Sequence, residues 1–160
     1  NLLRHKPGDE NPRFLPPAGL MHVPSKARLL RGGDLGVELD YGGGHRGRIT
    51  LRVVSPERLE YSWSGDAAMT ARVTLLPHTG QTVKSAAGDA VELGAAPLAW
   101  QPGAWVQAGC RLLLPEGSSL VWPVKPHNPY RKDGRADLDE ARIVLEAPAA
   151  GRRTMVVLVQ

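Results

Sequence analysis

From Ala27 onward, apolar and polar residues alternate with a period of two. Val37, Leu39 and Tyr41 fall on one side of an extended chain, with Glu38 and Asp40 on the other. Ile49, Leu51 and Val53 alternate with Arg48, Thr50 and Arg52, and Leu59, Tyr61 and Trp63 with Arg58, Glu60 and Ser62. Met69, Ala71, Val73 and Leu75 alternate in the same way with Thr70, Arg72 and Thr74. Successive side chains of a strand point to opposite faces, so each segment predicts a half-buried strand with one wet face. The spacers Gly42-Gly43-Gly44, Ser55-Pro56 and Ser64-Gly65-Asp66 are short, which predicts antiparallel neighbours in a meander.

Shorter or more apolar strands are expected at Thr82 to Lys84, Ala90 to Leu93, Trp105 to Gln107, Arg111 to Leu114, Leu120 to Val124, Arg142 to Glu146 and Thr154 to Val159. Pro115-Glu116-Gly117-Ser118 reads as a hairpin connection between two of them. Met155 to Val159 is almost wholly apolar and belongs in a sheet interior. A helical turn is expected only near Ala136 to Ala141. The sum is an all-β fold, an antiparallel two-sheet β-sandwich of about ten or more strands. Asn1 to Lys26 breaks the pattern with Pro7, Pro12, Pro16, Pro17 and Pro24 and reads as an extended proline-rich N-terminal arm or linker lying over the domain surface. The sandwich domain is then 27–160.

Composition changes this picture little. A chain of 160 residues, 42% of them hydrophobic and 22% charged, can build one core without metal or disulfide. Cys110 has no cysteine to pair with and reads as a small, semi-buried side chain. No apolar run is long enough to span a membrane as a helix. The start at Asn1 reads as a processed chain or a segment of a longer protein. The net charge of +4 rests mostly on arginines spaced singly along alternating segments, as on a solvated sheet face. No basic run with interleaved aromatics marks a nucleic-acid surface.

Most short motifs have a structural explanation. Leu76-Pro77-His78-Thr79-Gly80 has the form of a sortase signal, but half a domain follows it, so it reads as a turn. Gly42 to Gly47 lacks the Gly-Lys-Ser/Thr ending of a phosphate loop and reads as a hairpin tip. His5, His22, His45, His78 and His127 never pair at metal-ligand spacing. Asp133, Asp137, Asp139 and Glu140 offer hard oxygen ligands suited to calcium, yet Arg131, Lys132 and Arg135 compete for them. There is no Gly-x-Ser-x-Gly elbow and no carboxylate pair set apart from the outward positions, so no catalytic residue and no cofactor is assigned.

Two places remain as binding candidates. Trp100 and Trp105 flank the turn Gln101-Pro102-Gly103-Ala104, where two indoles either cap the open end of a sandwich or stack on sugar rings. The segment Trp122 to Gly134 holds three prolines after the tryptophan, so the strand is expected to leave the sheet near Pro123. The stiff loop beyond carries Lys125, His127, Asn128, Tyr130 and Arg131. Its alternative reading is an ordered crossover between the sheets.

The run Leu-Pro-Glu-Gly, then Trp-Pro-x-x-Pro-x-Asn-Pro-Tyr-x-x-Asp-Gly, then Ala-Arg-Ile-Val-Leu resembles the terminal β-sandwich domains of bacterial carbohydrate-active enzymes, heparinase-type polysaccharide lyases being the nearest. The likeness covers Arg111 to Leu145. In those enzymes the sandwich packs on a helical catalytic domain and helps to wall the substrate cleft; neither that domain nor its catalytic residues has a counterpart here. The resemblance implies an accessory, carbohydrate-binding domain, extracytoplasmic, with an oligo- or polysaccharide ligand of acidic character and a neighbouring catalytic domain as partners. Two other functions fit the sequence: an interaction module that docks on a neighbouring domain and exposes an apolar patch, and a lyase- or mutarotase-like enzyme in which His and carboxylates converge in one pocket.

Overall fold

A computed structural model describes residues 24–75, 77, 79–85, 87–98, 103–107, 109–126, 128 and 130–159. These form twelve strands and no helix. The large sheet has nine strands. In spatial order they are β1 (Lys26–Leu30), β2 (Leu35–Gly42), β3 (His45–Ser55), β4 (Arg58–Gly65), β12 (Gly151–Val159), β9 (Cys110–Leu113), β8 (Ala104–Gln107), β6 (Thr82–Ser85) and β7 (Ala90–Glu92). The small sheet has three: β10 (Ser119–Val124), β11 (Arg142–Pro148) and β5 (Thr70–Leu75). All pairings between named strands are antiparallel.

Residues paired across an antiparallel ladder share a face, so the alternation sets the layers. Trp63, Met155, Leu112, Trp105 and Val83 of the large sheet meet Leu75, Leu120, Trp122, Ile143, Leu145 and Ala147 of the small one in a single buried cluster. Each buried tryptophan removes about 150–250 Å² from water, worth about 4–6 kcal/mol before chain entropy is counted. Trp122 keeps its polar edge satisfied by donating Nε1–H to the Gly94 carbonyl at 2.8 Å. Met155 to Val159 lies between β4 and β9, inside the large sheet, as its apolar run requires. Cys110 is half-buried at the start of β9.

Several connections differ from expectation. Only β1 to β4 form the meander, because β5 crosses to the small sheet. The crossing is fixed where Gly65 N–H donates to the Ala149 carbonyl at 2.6 Å and Ala149 N–H to the Met69 carbonyl at 3.1 Å. Pro115 to Ser118 likewise joins strands of different sheets and is an inter-sheet corner, not a hairpin. Its turn is closed by Ser118 Oγ–H on the Pro115 carbonyl at 2.5 Å, with Gly117 at a φ of 76°. As expected, the chain leaves the sheet near Pro123: β10 ends at Val124, one residue beyond it. The ladder with β11 shifts register between Val121 and Val124 and then resumes at Arg142. β10 is an edge strand, where a proline's missing N–H breaks no ladder on the outer side.

The alternation read from Ala27 onward coincides with β1, although the first strand assigned from it was Val37 to Tyr41. β1 opens at Lys26, and Ser25 already bonds the Asp40 carbonyl through its backbone N–H at 2.7 Å. Residues 1–23 of the expected arm lie outside the described residues. Asp137 to Ala141 makes turns, with Glu140 N–H on the Asp137 carbonyl and Ala141 N–H on that of Leu138, in place of the expected helical turn.

The two layers differ in width, and part of the inner face of the large sheet is uncovered. Leu29, Leu35 and Val53 sit on the same face as Trp63 by register, yet they are 71%, 65% and 73% exposed.

Candidate functional site

The loop from β10 to β11 is built almost entirely from its own polar groups. Asn128 is its organiser. Its Oδ1 accepts from the Tyr130 N–H at 3.0 Å, closing an Asx turn. Its Nδ2 donates to Glu140 Oε1 at 2.7 Å, tying the outgoing limb of the loop to the returning one. Asn128 N–H donates to the Gly134 carbonyl at 3.0 Å, Arg131 N–H to that of Asn128 and Gly134 N–H to that of Arg131. Gly134 takes a φ of 67°, which a residue with a Cβ resists.

Glu140 is the second organiser. Its Oε2 accepts from the Asp137 N–H at 2.8 Å and lies 3.8 Å from the Arg131 guanidinium. Arg131 also donates to the Asp137 carboxylate, which holds that carboxyl below its ordinary value, while solvent exclusion pulls the other way and Lys125 adds a weaker lowering. Thr79 Oγ1–H anchors the loop from outside by donating to the Leu138 carbonyl at 2.7 Å. Ala136 and Ala141 are buried beneath it.

From this frame Tyr130 projects with 96% of its surface exposed. Lys125 is exposed at the entry of the loop, and Asn128 is half-buried. Arg131 is occupied by its carboxylate partners. The loop is not a crossover between the sheets, because β10 and β11 are paired neighbours in the small sheet; it is a long, internally bonded connection that presents a surface aromatic. His127 lies outside the described residues.

Trp105 does not face a ligand. It is 2% exposed, pairs with Leu112 on the core side of the large sheet and has no hydrogen-bond partner for its Nε1. A sugar ring needs an open indole face, so Trp105 is corrected from a binding residue to a core residue. Trp100 and the turn from Gln101 to Pro102 lie outside the described residues.

The acidic candidates divide. Ligand atoms of Asp137, Asp139 and Glu140 lie within 4.8 Å of one another. Arg131 already supplies a cation to Asp137 and Glu140. Asp133 instead accepts from the Arg135 N–H at 3.0 Å.

Two arrangements escaped the sequence. His45 Nδ1 and Asp66 Oδ2 are 2.9 Å apart at the tip of the β2–β3 hairpin, 21 residues distant in sequence. His45 bonding holds the Asp66 carboxyl below its ordinary 3.8, opposed by partial desolvation and helped by the Ala68 N–H. This pair does not line the groove on the outer face of the large sheet. That groove, about 190 Å³, is lined by Asp34, Arg48, Thr50, Ser62, Ser64 and Arg152, together with Trp63, whose side chain belongs to the core. The pairing of β2, β3, β4 and β12 brings these residues together, so linear spacing carried no signal of it. No protein-family model, curated protein or solved structure matches the chain.

Proposed function

We propose that this chain is a non-catalytic, carbohydrate-binding accessory domain of a polysaccharide-processing protein, with the β10–β11 loop as its contact surface. The observation that supports this reading is the near-complete exposure of Tyr130 on a loop whose backbone is fixed by its own hydrogen bonds. A rigid aromatic platform loses little conformational entropy when a ligand arrives. The axial C–H face of a sugar ring packs on such a ring, and Lys125, exposed at the entry of the same loop, supplies a cation for an acidic group. The chain's charge of +4 favours the same ligands. A neighbouring catalytic domain and an extracytoplasmic setting follow from this reading.

Isothermal titration of the chain with neutral and uronic-acid oligosaccharides tests it. Saturable heat is expected from at least one series, and Tyr130→Ala should weaken it about thirtyfold, as truncation of a central aromatic contact does. Absence of heat with every sugar rejects the reading.

A second reading is favoured by a separate observation. Leu29, Leu35 and Val53 step diagonally across β1, β2 and β3 and are left uncovered on the core side. Such a patch suits docking of a neighbouring domain, and the chain is then a structural module. Hydrogen exchange at these strands, compared between the isolated chain and the protein that carries it, decides the matter: docking slows exchange there, and unchanged rates dismiss it.

A further inference from the structure

On the outer face of the large sheet, register builds a small grid. Arg48, Ser64 and Arg152 lie in one row across β3, β4 and β12, and Thr50, Ser62 and Thr154 in the row beside it. Neighbouring strands are about 4.8 Å apart, so the two arginines start about 10 Å from each other with only a serine between them. Their arms are long enough to meet above Ser64. Ser62 is 3% exposed although it belongs to the solvent side, so the flanking side chains wall the trough. Its hydroxyl is 2.8 Å from that of Thr154, which makes a polar floor.

The charges around the trough are unequally committed. Glu38 is opposite Arg48 in register, but its carboxylate is taken by Arg28. Asp34, at the rim, lies 3.9 Å from Arg52. Among the described residues neither Arg48 nor Arg152 forms an ion pair with a carboxylate. Two free guanidinium groups over a hydroxyl floor match the charge of an oxyanion, and a groove of about 190 Å³ has room for it together with part of the molecule that carries it.

We propose that this trough is a binding subsite for a single oxyanion, a carboxylate, sulfate or phosphate group, clamped between Arg48 and Arg152 above Ser64. Asp34 gives the site an acceptor beside the clamp, suited to a hydroxyl next to the anionic group. The subsite is on a different element from the Tyr130 loop and does not depend on the carbohydrate reading of that loop.

Titration of the full chain with trigalacturonate, sodium sulfate, sodium phosphate and a neutral trisaccharide tests it, alongside Arg48→Gln, Arg152→Gln and Arg111→Gln. Arg111 is on the same face but outside the groove, and far-UV circular dichroism checks that each variant keeps its strands. At least one oxyanion should bind saturably and the neutral sugar should not compete with it. Each groove variant should weaken that binding about tenfold or more, Arg111→Gln should not, and added salt should weaken it further. Tighter binding of trigalacturonate than of sulfate or phosphate assigns the anion to a uronate; the reverse order assigns it to a free or esterified oxyanion. The subsite is overturned if no oxyanion binds, or if both groove variants bind as the parent does. Tyr130→Ala separates the two proposals: it should spare this site, and oxyanion binding lost with Tyr130 but retained in both groove variants overturns the subsite and leaves the loop.

Discussion

Tyr130 and Trp105 are both aromatic residues singled out by sequence, and burial assigns them opposite roles. Trp105 fills the core, so Trp105→Ala should cost about 3–5 kcal/mol in denaturant unfolding, whereas Tyr130→Ala should change stability by less than about 0.5 kcal/mol. A comparable loss in both variants would contradict this assignment. The sequence left Trp105 open because a tryptophan beside a turn serves equally as a cap or as a platform. The Asp66–His45 contact has its own signature. A carboxyl with a depressed folded-state pKa stabilises the fold above its ordinary value, and that contribution disappears as pH falls through the folded one. The melting-temperature gap between the parent and Asp66→Ala should therefore narrow as pH drops below 3.8, and a gap independent of pH there would refute the contact.

At the scale of elements, alternation identified nearly every strand but not its partner. β5 and β4 carry the same two-faced pattern, and nothing in a period of two says which sheet receives the strand. That information resides in the crossings, made by backbone bonds at Gly65 and by the Ser118 hydroxyl on the Pro115 carbonyl, which leave no mark on the period of two. Pro123 marked the end of β10 to within one residue, and it is tolerated inside the strand because β10 is an edge, a property of the whole sheet. The β2–β3 hairpin was legible, since Gly43 and Gly44 take φ values of 61° and 89° that a two-residue turn requires. Gly44→Val should cost about 1–3 kcal/mol in thermal unfolding, and a neutral effect would contradict the turn geometry. The central position of β12 predicts that its amides exchange most slowly, while those of β1 and β7, at the edges, exchange early.

For the molecule as a whole, a broad sheet covered by a narrow one leaves three kinds of surface: an uncovered apolar margin at β1 to β3, an arginine-lined trough on the outer face, and a braced loop that presents Tyr130. Sequence reasoning found the loop because its prolines, Asn128 and Tyr130 are contiguous. It passed over the trough because Arg48 and Arg152 are distant in sequence and each looks like an ordinary solvated position. The apolar margin has a physical consequence of its own: Leu29→Lys with Leu35→Lys should leave the melting temperature nearly unchanged and reduce any self-association seen by sedimentation velocity. A large loss of stability would mean the margin is covered. The proposed carbohydrate contact at the β10–β11 loop is tested by where an added sugar perturbs the chain. Backbone amide shifts of the isotopically labelled chain, followed as oligosaccharide is added, read that position directly. The predicted result is a set of saturable shifts centred on Lys125, Asn128, Tyr130 and Arg131; shifts confined to other strands, or none at all, would contradict it.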